Sequence, residues 1–157
     1  MSEVGNCIHN IYAACTGNEA HDVQVAQRLI GSFHFEKVLP DAQAVIAARQ
    51  YLIQWLTDNF GTSILEHHEL AFMYEVADQI IRGSMDLVWE TKKGCVLIDF
   101  KTFPGTESAV TEEDNLHFAG KYKPQLDCYR MALEAAGKHV IAQYIYYPVN
   151  GMIVSLE

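Results

Sequence analysis

The stretch GSMDLVWETKKGCVLIDFKT, Gly83 to Thr102, holds two apolar runs around a short charged segment, which commits the middle of the chain to a β-hairpin. Side chains alternate between faces along a strand. In the second run Val96, Ile98 and Phe100 therefore share one face, and Cys95, Leu97, Asp99 and Lys101 share the other. In the first, Ile81, Met85, Leu87 and Trp89 lie together, with Ser84, Asp86 and Val88 opposite. Reading residues 91–94 as a four-residue loop sets Glu90 opposite Cys95, Leu87 opposite Ile98, Asp86 opposite Asp99 and Ser84 opposite Lys101. Directly opposed residues hold their Cβ atoms about 4.5–5.5 Å apart. The pattern thus sets two carboxylates, Asp86 and Asp99, side by side on the less apolar face.

Such a pair is unfavourable until something neutralises it. A proton is shared, or Lys101 bridges the acids on a solvated sheet face, or a hard divalent cation is bound. Mg²⁺ typically takes one or two carboxylates and keeps several waters. That leaves positions for a phosphate oxygen and a water nucleophile. The hairpin by itself leaves these alternatives open.

Residues before the hairpin read as helices. VGNCIHNIYAAC carries Val4, Ile8, Ile11 and Tyr12 at helical spacing, and HDVQVAQRLIGSF repeats the pattern with Val25, Leu29 and Ile30. A third helix starts near Pro40, runs along Val45, Ile46, Leu52, Ile53 and Leu56, and stops at Gly61. Strands follow over 64–75, 77–90 and 95–101, then a loop rich in turn formers and acids, FPGTESAVTEEDN. Residues 118–136 read as a helix with Tyr122, Leu126, Tyr129 and Leu133 as its core stripe and Gly137 as its stop. HVIAQYIYYPVNGMIVSL closes the chain as two strands around an Asn150-Gly151 turn. The order implies a mixed α/β domain: a central sheet flanked by helices, in a single unit over 1–157 with a mainly helical part, 1–61, and a sheet core with one helix, 62–157.

A chain of 157 residues, half of them apolar, builds one domain with a real core. No apolar run reaches the length that spans a bilayer, and the start lacks a signal peptide, so the expectation is a soluble, cytoplasmic protein with no membrane role. The chain opens on helix-like sequence and stops just after a strand-like run, which suggests a domain cut from a longer protein. Cys7, Cys15, Cys95 and Cys128 are scattered with no C-x-x-C pair; they read as buried free thiols rather than zinc or iron–sulfur ligands. The net charge of −9 argues against nucleic-acid binding by charge alone. Even so, eight of the eleven Lys and Arg residues lie between Arg82 and Lys138, which leaves room for a local basic surface.

Asp86 followed by the run Asp99-Phe100-Lys101 resembles the D…(D/E)-x-K signature of the PD-(D/E)XK nuclease superfamily. The wider pattern resembles its RecB-like branch, found at the C-termini of helicase–nucleases such as RecB and AddA. GSMDLVW is similar to the G-x-x-D motif of that branch, IDFKT to D-Y-K-T with Phe100 in place of tyrosine, QLDCY to Q-x-x-x-Y, and GNCIH to G-x-x-x-H. ELAF at 69–72 resembles an E-x-P-F strand with Ala71 in place of proline, although Glu66 matches nearly as well as Glu69. These motifs occur in the family's order and span nearly the whole chain.

The resemblance implies a restriction-endonuclease-like core and a Mg²⁺- or Mn²⁺-dependent deoxyribonuclease without an iron–sulfur cluster. It implies an exonuclease module of a DNA repair and recombination machine, acting on single strands or duplex ends delivered by a helicase motor in the same chain or complex. The alternative is a non-catalytic domain of the same fold that holds DNA or a partner protein. Asp86, Asp99, the carbonyl of Phe100 and His9 would bind the metal, with histidine suiting Mn²⁺ better than Mg²⁺. Lys101 would hold the attacking water and stabilise the transition state. Gln125 and Tyr129, four apart on one helical face, would position the strand and the catalytic face, with Thr102 assisting. Without the resemblance, His9 and Tyr129 read as packed side chains and Gln125 as surface, while Lys121 and Lys123 read as solvated charges, with phosphate contact as the other reading. His67 and His68 are adjacent on a strand and point to opposite faces, which makes them poor co-ligands.

Overall fold

The computed structural model describes residues 3–39, 41–102, 119–149 and 151–156. Three helices come first: α1 (Glu3–Ala14), α2 (Glu19–Ser32) and α3 (Ala42–Phe60). Their ends follow from local chemistry. Asn18 caps α2 by accepting the His21 N–H, and Asp41 caps α3 by accepting the Gln43 N–H. Gly61 ends α3 at φ 91°. The turn before α2 closes on Asp22, whose buried carboxylate accepts from Thr16 N, Thr16 Oγ1 and Gly17 N at 2.8–3.0 Å. Those bonds, opposed by burial, hold its carboxyl below the usual carboxylate range. The buried line of α2 runs Asp22, Ala26 and Ile30. The expected stripe through Val25 is thus rotated so that the small Ala26 faces the neighbouring helices. Pro40 lies outside the described residues.

Strands β1 (Leu65–Val76), β2 (Gln79–Thr91) and β3 (Gly94–Phe100) follow, then α4 (Lys123–Ala135), β4 (Val140–Tyr147) and β5 (Met152–Ser155). The five strands form one sheet in sequence order. Every neighbouring pair is antiparallel except β3 and β4, which run parallel across the connection that carries α4. This is the expected mixed α/β architecture. The fourth helix is shorter than expected: a turn at 121–122 separates it from helical Ala119 and Gly120, and residue 118 lies outside the described residues, as does the expected loop. No described helix is long and apolar enough to cross a membrane.

Between β2 and β3 the loop is tighter than expected. Thr91 pairs with Gly94, leaving Lys92 and Lys93 as a two-residue turn, while Glu90 still faces Cys95 and Leu87 faces Ile98. Gly94 is required there. At φ 145° a Cβ would lie 2.6 Å from the His139 carbonyl oxygen and 2.7 Å from Ile141 Cγ2. That carbonyl accepts the Cys95 N–H at 2.7 Å and ties the start of β3 to β4. Gly94→Ala is expected to cost about 2–3 kcal/mol, or roughly 4–12 °C in Tm, read by circular dichroism during thermal unfolding.

Every residue from Met85 to Trp89 and from Cys95 to Phe100 is buried, so both faces of the hairpin are covered there, which disfavours the alternative of a solvated polar face. On one side Leu87, Trp89, Val96, Ile98 and Phe100 pack under α1–α3. On the other, Met85, Val88, Cys95 and Leu97 pack with Leu126, Tyr129 and Leu133 of α4. Gln143, fully buried in β4, seats that helix: its Nε2 donates to the Leu126 carbonyl at 2.7 Å, and its Oε1 accepts from Arg130 at 3.0 Å.

Candidate active site

Met85 belongs to the α4 side and Leu87 to the helical side, although strict alternation puts them together. The same reversal occurs in β1. His68 meets Glu66, which meets Arg49 of α3, whereas Leu70 and Phe72 pack toward α4. The ladder passes from His68↔Leu87 to Leu70↔Met85, so Glu69 and Asp86 oppose each other at the break. Glu69 has φ 50°, a left-handed conformation costing a non-glycine residue about 1–2 kcal/mol. Such irregularities re-aim side chains, and here they aim two acids at one place.

That place is the start of the chain. His9 of α1 puts Nδ1 3.0 Å from Glu69 Oε1 and 3.4 Å from Asp86 Oδ1. The imidazole is held edge-on to the Phe100 ring at 5.5 Å. Ser84 Oγ donates to Glu69 Oε2 at 2.9 Å. Ligand atoms of His9, Glu69 and Asp86 all lie within 4.8 Å of one another.

The expected facing of Asp86 and Asp99 is changed in detail. The backbone ladder ends at Leu87↔Ile98, and the Phe100 N–H instead donates to Asp86 Oδ2 at 2.6 Å. Ser84 meets Glu69 rather than Lys101. Asp99 is 1% exposed, and its Oδ1 takes no hydrogen bond from a described residue. Its charge is met by Lys101, whose Nζ lies 2.6 Å from Oδ2. Lys101 Nζ also donates to Gln125 Oε1 at 3.4 Å, and Gln125 Nε2 donates to the Tyr129 hydroxyl. The Tyr129 ring packs edge-on against Phe72 at 5.3 Å, which fixes the far end of this chain of contacts.

Burial first, then the charge of Asp99, pushes the Asp86 carboxyl well above the usual carboxylate range, against the pull of the Phe100 N–H and Lys101. Burial likewise raises Asp99, against Lys101 and His9. The Tyr129 phenol is pushed up to about 12, by burial first and by both aspartates, with Gln125 acting the other way. Glu69 and Asp86 therefore share His9, while Asp99 is paired with Lys101 beside them and is not among the mutually close ligand atoms. Oxygen donors with one imidazole suit Mg²⁺ or Mn²⁺, and a buried carboxylate oxygen without a hydrogen bond from a described residue, Asp99 Oδ1, suits an added cation.

The structure brings His9, Asp86, Asp99, Phe100, Lys101, Gln125 and Tyr129 into one constellation. It also separates Glu69 from Glu66, which sequence matching left nearly equal: Glu66 is held on the α3 side by His68, Arg49 and Ser63. Ser84, read from the sequence only as facing Lys101, joins the site through Glu69. His67 and His68 do diverge, to Glu90 and Glu66 respectively.

The model of the PD-(D/E)XK nuclease superfamily matches residues 2–155. The chain is 39% identical over 75 residues, 47% of its length, to an ATP-dependent helicase/nuclease subunit from Thermoanaerobacter sp. (strain X514), of which that match covers 6%. It is 25% identical over 183 residues, 99% of its length, to a protein of that description from Bacillus mycoides (strain KBAB4), covering 14% of it. A third, from Clostridium novyi (strain NT), is 24% identical over 169 residues, with 92% of the chain and 13% of the relative matched. The chain thus spans a small fraction of the length of these relatives.

Proposed function

The chain belongs to the PD-(D/E)XK nuclease superfamily, and from that premise we propose that it is a Mg²⁺- or Mn²⁺-dependent deoxyribonuclease module, one domain over 1–157. The observation that carries this reading is the His9, Glu69 and Asp86 group, whose ligand atoms lie within 4.8 Å of one another, with the buried Asp99–Lys101 pair beside it. Asp86, Asp99, Glu69 and His9, with the Phe100 carbonyl, would hold the divalent ion. A bound ion would supply Lewis acidity toward a phosphoryl oxygen and a water acidified toward neutral pH.

The chain's own groups do the remaining work. Lys101 places a fixed positive charge beside the acids, where it stabilises the phosphorane-like transition state and orients the attacking water. Gln125 holds the lysine through its carbonyl and is itself held by the Tyr129 hydroxyl. His9, braced against Phe100, keeps one nitrogen turned toward Glu69 and Asp86. A chain of net charge −9 gains little from counterion release, so the substrate is expected to be a single strand or a duplex end presented by a motor. The relatives' description as ATP-dependent helicase/nuclease subunits supports a nuclease role beside a helicase, and exonuclease action in cytoplasmic DNA repair belongs to this proposal.

The test is hydrolysis of end-labelled single- and double-stranded DNA in Mg²⁺, Mn²⁺ or EDTA, with Asp99→Ala beside the wild type. Metal-dependent cutting by the wild type alone is expected. Equal cutting by Asp99→Ala, or cutting in EDTA, would contradict the reading, as would a wild type that cuts nothing in either metal.

A further inference from the structure

Lys101 has a third kind of partner besides Asp99 and Gln125. Its Nζ lies 4.7 Å from the centroid of the Tyr122 ring. The same ring takes a second ammonium, with Lys121 Nζ 4.8 Å from its centroid. Both separations fall within the roughly 6 Å over which a cation is attracted to the electron-rich face of an aromatic ring. Tyr122 is well placed to hold them. Its N–H donates to the Ala119 carbonyl at 2.9 Å, and its own carbonyl accepts from Gln125 N at 3.0 Å and Leu126 N at 3.2 Å. The turn that starts α4 therefore fixes both the ring and Gln125.

The partners of Lys101 are not equivalent. Any cation engaged by the Asp99 carboxylate withdraws negative charge from the lysine, because one carboxylate then serves two positive groups. A neutral ring is not drawn away in this manner. Resting on the nuclease reading above, we propose that Tyr122 is a positioning residue. Its ring gathers Lys101 and Lys121 into a pair of ammonium groups beside the acids and keeps Lys101 at the reacting phosphate while Asp99 engages a divalent ion. Lys121 is then a second phosphate-facing cation, contributing to substrate binding at the same centre.

The test compares Tyr122→Phe, which keeps the ring, with Tyr122→Leu, which keeps an apolar side chain without one. In protein carrying ¹³C-labelled lysine, assigned through Lys101→Arg and Lys121→Arg, the ε-methylene protons of both lysines should be shifted upfield by the ring current. The shift should persist in Tyr122→Phe and vanish in Tyr122→Leu. On DNA, Tyr122→Leu should lower kcat/KM about tenfold or more, and Tyr122→Phe should stay within about twofold of wild type. Mn²⁺ affinity should be the same in all three. Lysine signals unmoved by Tyr122→Leu would overturn the proposal, as would a Tyr122→Phe variant as impaired as Tyr122→Leu, or loss of Mn²⁺ binding with the leucine. A wild type that cuts nothing would count against the nuclease reading instead, and the lysine signals alone would then decide the ring's role.

Discussion

Lys101→Ala will cut DNA at least about 10²-fold more slowly than wild type, and it will bind Mn²⁺ no more weakly. Both halves follow from where the ammonium sits. It lies 2.6 Å from a carboxylate that is 1% exposed, so it faces the reacting groups from a water-poor environment. A fixed charge aimed at developing negative charge there is worth about 10²–10³ in rate. Removing it leaves Asp86, Asp99 and Glu69 with less positive charge nearby, which favours a divalent cation rather than repelling it. Lys101→Arg is not expected to restore activity. The planar guanidinium does not occupy the space of a compact ammonium held between a carboxylate, an amide carbonyl and a ring face. Steady-state cleavage beside a Mn²⁺ titration separates the two effects. A Lys101→Ala variant that cuts within tenfold of wild type would remove lysine from the chemistry.

Asp86→Asn will stabilise the metal-free protein at pH 8 and will lose that advantage once Mn²⁺ is added to both proteins. Asn Oδ1 still accepts the Phe100 N–H, and the Asp99–Lys101 pair is left electrically balanced. The sign follows from linkage. The folded-state Asp86 carboxyl is raised to about 8, and an unfolded aspartate titrates near 3.9. Between those values the folded chain keeps a proton that the unfolded chain has released. Wild-type stability in EDTA therefore falls as the pH rises from about 4 toward 8. Asp86→Asn should flatten that fall, with a gain of about 1–2 kcal/mol at pH 8, or roughly 2–8 °C in Tm, and little difference at pH 5. A divalent ion binding only the folded wild type adds RT ln(1 + [L]/Kd) to its stability, about 2.7 kcal/mol at a hundredfold excess over Kd. The ranking then reverses. Thermal unfolding across this pH range, in EDTA and in Mn²⁺, reads the whole pattern. A variant less stable than wild type in EDTA at pH 8 would contradict it.

Much of this was legible in the residues, and the parts that were not have physical reasons. The loop reading over 91–94 set the pairing of Glu90 with Cys95 and Leu87 with Ile98, and alternation supported it, since a one-residue slip would turn both apolar faces over. It failed at Met85 because strict period-two reasoning assumes an unbroken strand, and the chain breaks phase at Glu69 and Asp86 together. Nothing about a glutamate announces a left-handed backbone, so Glu69 stood no clearer than Glu66 until each was seen with its partners. The burial of Asp86 and Asp99 was equally hidden. The helices that cover them come from far away in sequence, and local pattern does not say which face a remote helix will choose. The apolar neighbours Ile8 and Ile11 make His9 look like core, and the structure buries it while turning its Nδ1 toward Glu69 and Asp86. Tyr122 shares helical spacing with Leu126 and Leu133, which are buried packing residues, so its ring read as core and its two lysines were missed.

At the centre of the account stands the claim that the buried acids exist to hold a divalent cation. Calorimetric titration of Mn²⁺ into wild type and Asp99→Asn, with circular dichroism to establish that both are folded, tests it most directly. Saturable binding to wild type is expected, with affinity at least about 10²-fold weaker in the variant, since one charged ligand of a small set is gone. Equal affinity in the two folded proteins, or no binding to either, would contradict it and leave the hairpin's carboxylates as structural charges.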